Sequence, residues 1–385
     1  MSYSQSDLII IVSNFEITDG VAAIENFGMG HINDTYIVKS ASDNQPGYLL
    51  QRINHMIFKD VSALMNNILL VTAHLKEKLK SVPGDDPETK VLTVVKTKDH
   101  FPYYHDNRGN YWRMYVYLKN TKSLDAVVND EQAQECGKAL GKFQSMLADF
   151  DTGHLHETIP NFHNVALRLS QYHRALEMNE AARRHLVAGE IDFISERIER
   201  MCAILTLIKE EHLPLRVTHN DTKVNNILLD KRDRAQCIVD LDTVMPGYVA
   251  YDFGDAIRTL INPVAEDEPD LSKIDLNMPI FEAFTRGYLT ESAQWLTEGE
   301  IKSLCLSVPL FPFMQGVRFL TDYLQGDTYY KIQFPDHNLQ RACAQFQLLR
   351  KLEAQYEKIE DIIWETANRC LDLTYAQNKR GNAKN

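Results

Sequence analysis

What this chain lacks narrows its possible functions first. Its six cysteines (136, 202, 237, 305, 343 and 370) are scattered, with no Cys-x-x-Cys pair. They read as small buried apolar residues in a reducing compartment. Positive charge is also short: 41 Lys and Arg face 53 Asp and Glu, for a net charge of −12. Broad nucleic-acid binding needs a cationic surface to displace counterions and is therefore not expected, although a few local cations suffice for an anionic ligand. No apolar run reaches the roughly 18 residues of a membrane span. The N-terminal run Leu8-Ile9-Ile10-Ile11-Val12 is short and follows no basic segment, so it fits neither a signal peptide nor an anchor. The expectation is a cytoplasmic protein with no membrane and no obligate protein partner. There is no internal repeat or low-complexity segment, apart from a polar tail after Gln377.

What is present is an ordinary globular composition, 44% hydrophobic and 24% charged over 385 residues, enough for a large core and two or three domain-sized units. Ser4 to Phe15 reads as a short amphipathic helix. Val21 to Glu25, His31 to Val38 and Tyr48 to Ile53 read as short strands separated by Gly- and Pro-containing turns. A helical stripe spans Phe58 to Leu79, and Val91 to Val95 and Tyr111 to Leu118 return to strand character. Beyond Asn120 helical patterns dominate, over roughly 130–150, 162–180, 182–210, 278–291, 316–330 and 336–375. The last is read as one long helix covering a core. A β-like island at Val217 to Asp242 interrupts them. The expected fold is α+β, in two parts. Residues 1–116 would form a small lobe with an antiparallel sheet, and residues 117–385 a larger, mainly helical lobe.

The most informative stretch is Arg216-Val-Thr-His219-Asn-Asp221-Thr-Lys223-Val-Asn-Asn226, followed fourteen residues after Asn226 by Asp240-Leu-Asp242. A strand delivers a tight polar loop, and a later strand ends in two carboxylates. Asp221 and Asn226, five apart on a turning loop, can face one pocket. An Asp, an Asn and an Asp around one point suit Mg²⁺, a hard cation that takes oxygen ligands and keeps places for phosphate oxygens. The order also fits the kinase template H-x-D-x-x-x-x-N with a later metal-binding Asp. Asp221 is then the base, Asn226 and Asp240 hold the metal, and Lys223 is placed to neutralise charge on the transferred phosphoryl group. Asp242 is either a further metal ligand or a turn cap. Gly28-Met29-Gly30, between two strands, would cover the phosphates of ATP.

These stretches resemble the aminoglycoside phosphotransferase-like kinases, and among them the bacterial N-acetylhexosamine 1-kinases. Three segments carry the likeness: Gly28-x-Gly30-His31-Ile32-Asn33-x-Thr35-Tyr36, the Arg216 to Lys223 loop with Tyr251-Asp252-Phe253-Gly254-Asp255, and Arg318-Phe-Leu-x-Asp322-Tyr-Leu-x-Gly-Asp327-x-Tyr329. The resemblance implies a two-lobed, protein-kinase-like fold with ATP in the interlobe cleft and Mg²⁺-dependent phosphorylation of the C1 hydroxyl of N-acetylglucosamine or N-acetylgalactosamine. It also implies a nucleotide site with Gly28, Gly30 and Thr35, and a hinge through Tyr115 and Tyr117 that contacts adenine. Arg318, Tyr329, His31 and Asn33 would meet the sugar. Another small alcohol (homoserine, choline or an aminoglycoside) is the alternative acceptor.

Two features depart from the protein-kinase pattern. Asp252-Phe253-Gly254 spells the metal signature of those enzymes but lies 31 residues after Asp221, so Asp252 is expected to cap or brace a helix while Asp240 holds metal. Strand three, Tyr48-Leu-Leu-Gln51-Arg52-Ile-Asn54, carries no phosphate-binding Lys, and the next helix offers Asn66 and Asn67 but no Glu before Glu77. Arg52 or Gln51 is left to meet the phosphates. His154, His156 and His163 read as a polar loop.

Overall fold

A computed structural model describes residues 3–28, 32–42, 45 and 47–382, with side chains through Leu373. In chain order, its first elements are α1 (Gln5–Val12), β1 (Val21–Asn26), β2 (Asp34–Ser40), β3 (Tyr48–Ile53), α2 (Val61–Lys80) and α3 (Pro87–Lys90). There follow β4 (Val94–Val95), β5 (Tyr104–His105), β6 (Tyr111–Val116), α4 (Asp130–Met146), α5 (Val165–Met178), α6 (Ala188–Ser195) and α7 (Ile198–Glu210). The strands β7 (Arg216–Thr218), β8 (Ile227–Leu229), β9 (Ala235–Ile238) and β10 (Met245–Gly247) precede α8 (Val249–Leu260) and α9 (Met278–Ser292). The chain ends with α10 (Glu298–Leu324), α11 (His337–Ala354) and α12 (Tyr356–Asn382). The fold is α+β, with an antiparallel sheet in the N-terminal part and helices in the C-terminal part. The contacts gather into two compact units: residues 1–123, 149–160 and 227–246 form the first, and 124–148, 161–226 and 247–385 the second.

In the first unit the sheet order is β1-β2-β3-β6-β4, with β5 also on β6. The pairings between these strands are antiparallel. The pleat sends alternate side chains to one face. Ile24, Val38, Leu50, Trp112 and Met114 thus meet Leu8, Ile11 and Val12 of α1 in one core. Asp60 caps α2 by accepting from the Ala63 N–H. Val61, Leu64, Met65, Ile68, Val71, Leu75 and Leu79 recur at helical spacing and are buried. Asn67 interrupts this stripe fully buried. Its amide donates to the carbonyls of His156 (2.7 Å) and Val244 (2.9 Å) and accepts from the His156 N–H (2.9 Å). An Asn thus stands on the helix where kinases use a Glu, and it ties down two loops instead of a cation. The hairpin β8–β9 belongs to this unit, joined to the chain at Lys122 by a reciprocal pair of 2.8 Å backbone bonds with Leu229.

The second unit is built on α10, which packs against α5, α7, α8, α11 and α12. The expected helix over 316–330 in fact begins at Glu298, behind a Thr297–Glu300 capping box, and ends at Leu324. Pro309 and Pro312 lie inside it. Each removes one N–H donor, but burial among several helices holds the segment in register. By length and composition α10 could cross a membrane, yet 83% of its apolar window is buried inside the protein. Helices α4 and α9 cross at glycines. A Cβ on Gly137 would sit 2.1 Å from the Phe284 carbonyl oxygen, and one on Gly287 2.1 Å from that of Gln134. Two expected helices are broken. Residues 182–210 contain a 3-10 turn, α6 and α7. The long terminal helix divides at Gln355, whose ψ of 14° leaves the helical region. Neither Gly nor Pro marks that break; α11 and α12 instead follow different packing surfaces on α10 and α9.

Candidate active site

The loop after β7 is organised from inside the second unit. Asp252, fully buried on α8, accepts from the His219 N–H (2.9 Å) and Gln144 Nε2 (2.8 Å) with one oxygen, and from the Asn220 N–H (2.7 Å) with the other. Its backbone carbonyl accepts from Thr222 Oγ1 at 2.6 Å. Asp252 therefore braces the loop and lies within α8, whose N-cap is Tyr248. Burial pushes its carboxyl upward, against the opposing pull of His219. One turn on, Asp255 accepts from the Thr222 N–H (3.1 Å) and pairs with Arg258, which also reaches Glu266. Burial opposes charge on Asp255, but Arg258, His163 and Lys223 outweigh it and hold the carboxyl below its ordinary value.

These braces force Asn220 to φ +64°, a left-handed conformation in which Asn is tolerated better than most residues. His163 holds the same residue through Nε2, 3.0 Å from the Asn220 carbonyl oxygen. Burial, partly countered by Asp255, lowers the imidazole to about 4, so the ring is neutral and donates from Nε2. His163 therefore has a specific role in shaping the loop, beyond the polar-loop reading. Gly247 allows the close approach: a Cβ there would lie 2.2 Å from Thr218 Oγ1.

Asp221 projects from this frame partly exposed. Its Oδ1 pairs with Lys223 Nζ at 2.8 Å. Asn226 Nδ2 donates to the Asp221 carbonyl at 2.8 Å and to Oδ2 at 3.3 Å. That commits the Asn226 amide nitrogen and leaves its oxygen as a hard donor for a cation. Desolvation works to lower the Lys223 ammonium, and Asp221 with Asp255 overrides it, so the lysine stays above its ordinary value and charged. Elsewhere in this unit Arg318 donates to Gln315 Oε1 (3.2 Å) and lies over the Tyr330 ring, 5.6 Å from its centroid. Tyr329 is 68% exposed. Asp322 accepts from the N–H groups of Thr328, Tyr329 and Tyr330.

The first unit carries the other expected residues. Asp240 follows β9 in a left-handed conformation, φ +61°, with an exposed side chain. Asp242, two residues on, is buried: one oxygen bonds Arg113 and the other accepts from Asn33 Nδ2 at 2.7 Å. Asn33 also accepts from the Asn54 N–H at 2.9 Å. Thr35 Oγ1 accepts from Gln51 Nε2 at 3.1 Å. Arg52 is engaged by Asp34 through Nε at 2.7 Å. Gly28 has φ +72°, which favours glycine. Gly30 and His31 lie outside the described residues. The Tyr115 ring is buried on β6, and Tyr117 meets Phe27 edge to face at 5.9 Å. Among the described residues, no three His, Cys, Asp or Glu side chains form a metal cluster.

Arg113 is the residue that reading the sequence alone passed over. In the strand Tyr111 to Val116 it is a lone cation between buried Trp112 and Met114, and pairing of β3 with β6 sets it opposite Gln51. The strand's alternation was the available signal, since it puts Arg113 on the face away from Trp112.

Among solved structures the chain is similar to an amicoumacin kinase bound to AMP-PNP, Ca²⁺ and Ami, with a TM-score of 0.60 and 10% identity over 91% of this chain and 94% of that one. An aminoglycoside phosphotransferase from Alicyclobacillus acidocaldarius gives a TM-score of 0.58 at 13% identity, covering 97% of each chain. A microcompartment-associated aminopropanol kinase gives 0.57 at 14% identity, over 92% of this chain and 98% of that one. At such identities the likeness is one of fold. Residues 23–275, which span the sheet, the His219 to Asn226 loop and the Asp240 turn, match the model of the phosphotransferase enzyme family, and the chain belongs to that family.

Proposed function

We propose that the protein is an ATP-dependent kinase that phosphorylates the anomeric C1 hydroxyl of an N-acetylhexosamine, N-acetylglucosamine or N-acetylgalactosamine. The observation that carries the phosphoryl-transfer reading is Asp221, a partly exposed carboxylate held between Lys223 and Asn226 on a loop braced by Asp252. In this reading Asp221 accepts the C1 hydroxyl proton as the sugar oxygen bonds to the γ-phosphorus, and the bond from that phosphorus to the ADP oxygen breaks. Lys223, held cationic, offsets charge on the transferred group. Asn226 and Asp240 would hold Mg²⁺, which supplies charge neutralisation on the phosphates. Asp242 serves the fold of the Asp240 turn, since both its oxygens are engaged.

The sugar assignment is supported by the resemblance of three segments to N-acetylhexosamine 1-kinases. The Arg318 to Tyr329 segment lies beyond the family match at residues 23–275. Arg318 and the exposed Tyr329 are proposed to meet the acceptor. A neutral sugar needs no long-range steering, which suits a chain of net charge −12.

The test is ³¹P NMR of the protein with Mg·ATP and, separately, N-acetylglucosamine, N-acetylgalactosamine, glucose, homoserine, choline and kanamycin. The expected result is a sugar 1-phosphate signal with an N-acetylhexosamine that Asp221→Asn abolishes. A product from another alcohol would retain the kinase and refute the sugar.

A further inference from the structure

Kinases usually place a Lys on strand three, paired with a helix Glu, to hold the nucleotide phosphates. Here the corresponding strand carries Gln51 and Arg52, and α2 buries Asn67 with no Glu among its inward-facing residues. A buried cation is nevertheless present one strand away. Arg113 on β6 is 1% exposed and Asp242 3%. Arg113 Nη1 pairs with Asp242 Oδ1, and its Nε donates to Gln51 Oε1 at 3.0 Å.

The bonds continue on both sides. Gln51 donates to Thr35 Oγ1 (3.1 Å), and Asp242 Oδ2 accepts from Asn33 Nδ2 (2.7 Å), whose own oxygen takes the Asn54 N–H (2.9 Å). Asn33 and Thr35 flank Asp34, the first residue of β2. Asp242 is the middle residue of the 3-10 turn that follows left-handed Asp240, and its carbonyl accepts from Thr158 Oγ1 at 3.2 Å. One guanidinium therefore joins the entry of β2 to the turn carrying Asp240, through side chains that all belong to the first unit.

A pair buried this deeply is a poor device for stability, because desolvating both ions costs about what their attraction returns. Its geometric effect is large, since arginine's planar fork fixes two acceptors at once. We propose that Arg113 is a positioning residue that replaces the missing strand-three lysine by proxy: paired with Asp242 and Gln51, it sets the Asp240 turn and the β2 entry in the geometry that receives the metal–nucleotide complex. It does not touch the phosphates. This inference rests on the nucleotide-dependent reading above.

Titration calorimetry of ADP, with Mg²⁺ and with EDTA, decides it for the wild type, Arg113→Met, Arg113→Lys and the charge-balanced double variant Arg113→Met/Asp242→Asn. Removing one buried partner strands the other charge, so the Met variant alone can fail to fold; the double variant removes both charges and keeps the test open. The expected result is a double variant with near-wild-type Tm whose Mg·ADP affinity is about tenfold to a hundredfold weaker. The metal-free ADP affinity should fall less, and Arg113→Lys should lie between. Wild-type Mg·ADP affinity in the double variant overturns the inference and makes the pair a packing feature. Equal losses with Mg²⁺ and with EDTA overturn it as well, by uncoupling Arg113 from the metal turn. A wild type that binds no Mg·ADP overturns the nucleotide reading and this inference with it.

Discussion

Replacing Asp252 with Asn separates a brace from a metal ligand, because the two roles respond in opposite ways. Asp252 Oδ2 serves two donors, the His219 N–H and Gln144 Nε2, while Oδ1 serves the Asn220 N–H. The least costly Asn rotamer keeps its oxygen on the first pair and turns its NH₂ toward the Asn220 amide. That leaves Asn220, only 4% exposed, with an orphaned donor. An unsatisfied buried donor costs about 1–3 kcal/mol, and two bonds falling from charge-assisted to neutral cost about 1 kcal/mol each. Relief of the buried charge, which burial already disfavours at this carboxyl, returns part of this. The net loss is about 2 kcal/mol, or a Tm lowered by roughly 4–8 °C for a body of this size. Asp221 is the next residue, so its misplacement should lower kcat about tenfold to a hundredfold, while the affinity for Mg·ADP is kept. Scanning calorimetry, steady-state kinetics and nucleotide titration read the three quantities. Loss of Mg·ADP affinity at unchanged Tm would refute the argument and return Asp252 to the metal-ligand role that its Asp-Phe-Gly spelling suggests.

Four further outcomes follow from the structure. Gly287→Ala should destabilise the protein by about 2 kcal/mol, overpacking at Gln134 outweighing the helix-propensity gain of about 1 kcal/mol. Gly189→Ala, in open space, should be neutral or stabilising by urea denaturation. His163 is neutral in the native state with a value of about 4 against an ordinary 6.5. Between those values the unfolded chain binds a proton that the native one refuses, so its contribution to stability is complete above about pH 6.5 and falls as pH drops toward 4. Urea titrations at pH 7.5 and 5 should show a smaller acid loss in His163→Gln. Asp322→Asn should speed hydrogen exchange at the Thr328, Tyr329 and Tyr330 amides, which now share one buried carboxylate. If the turn presents Tyr329 to the acceptor, KM for the sugar should rise more than KM for ATP.

How far the sequence could be read depended on the distance between partners along the chain. Asp221, Lys223 and Asn226 lie within six residues, so loop spacing alone grouped them, and the structure links them by direct bonds. The strands β1, β3 and β6 and helix α2 were legible because their side-chain periods are local. The terminal helix break at Gln355 and the early start of α10 ahead of two prolines were not, because neighbouring helices outweighed local propensity there.

The sequence by itself determined the α+β class, the His219 to Asn226 loop and the absence of a strand-three lysine, each written in short-range order. Only the tertiary structure decided that Asp252 braces that loop across 33 residues, that His163 holds Asn220 across 57, and that Arg113 meets Asp242 across 129. Those contacts exist because packing removes the groups from water, and a buried charge or N–H must then find whatever partner the fold brings within reach.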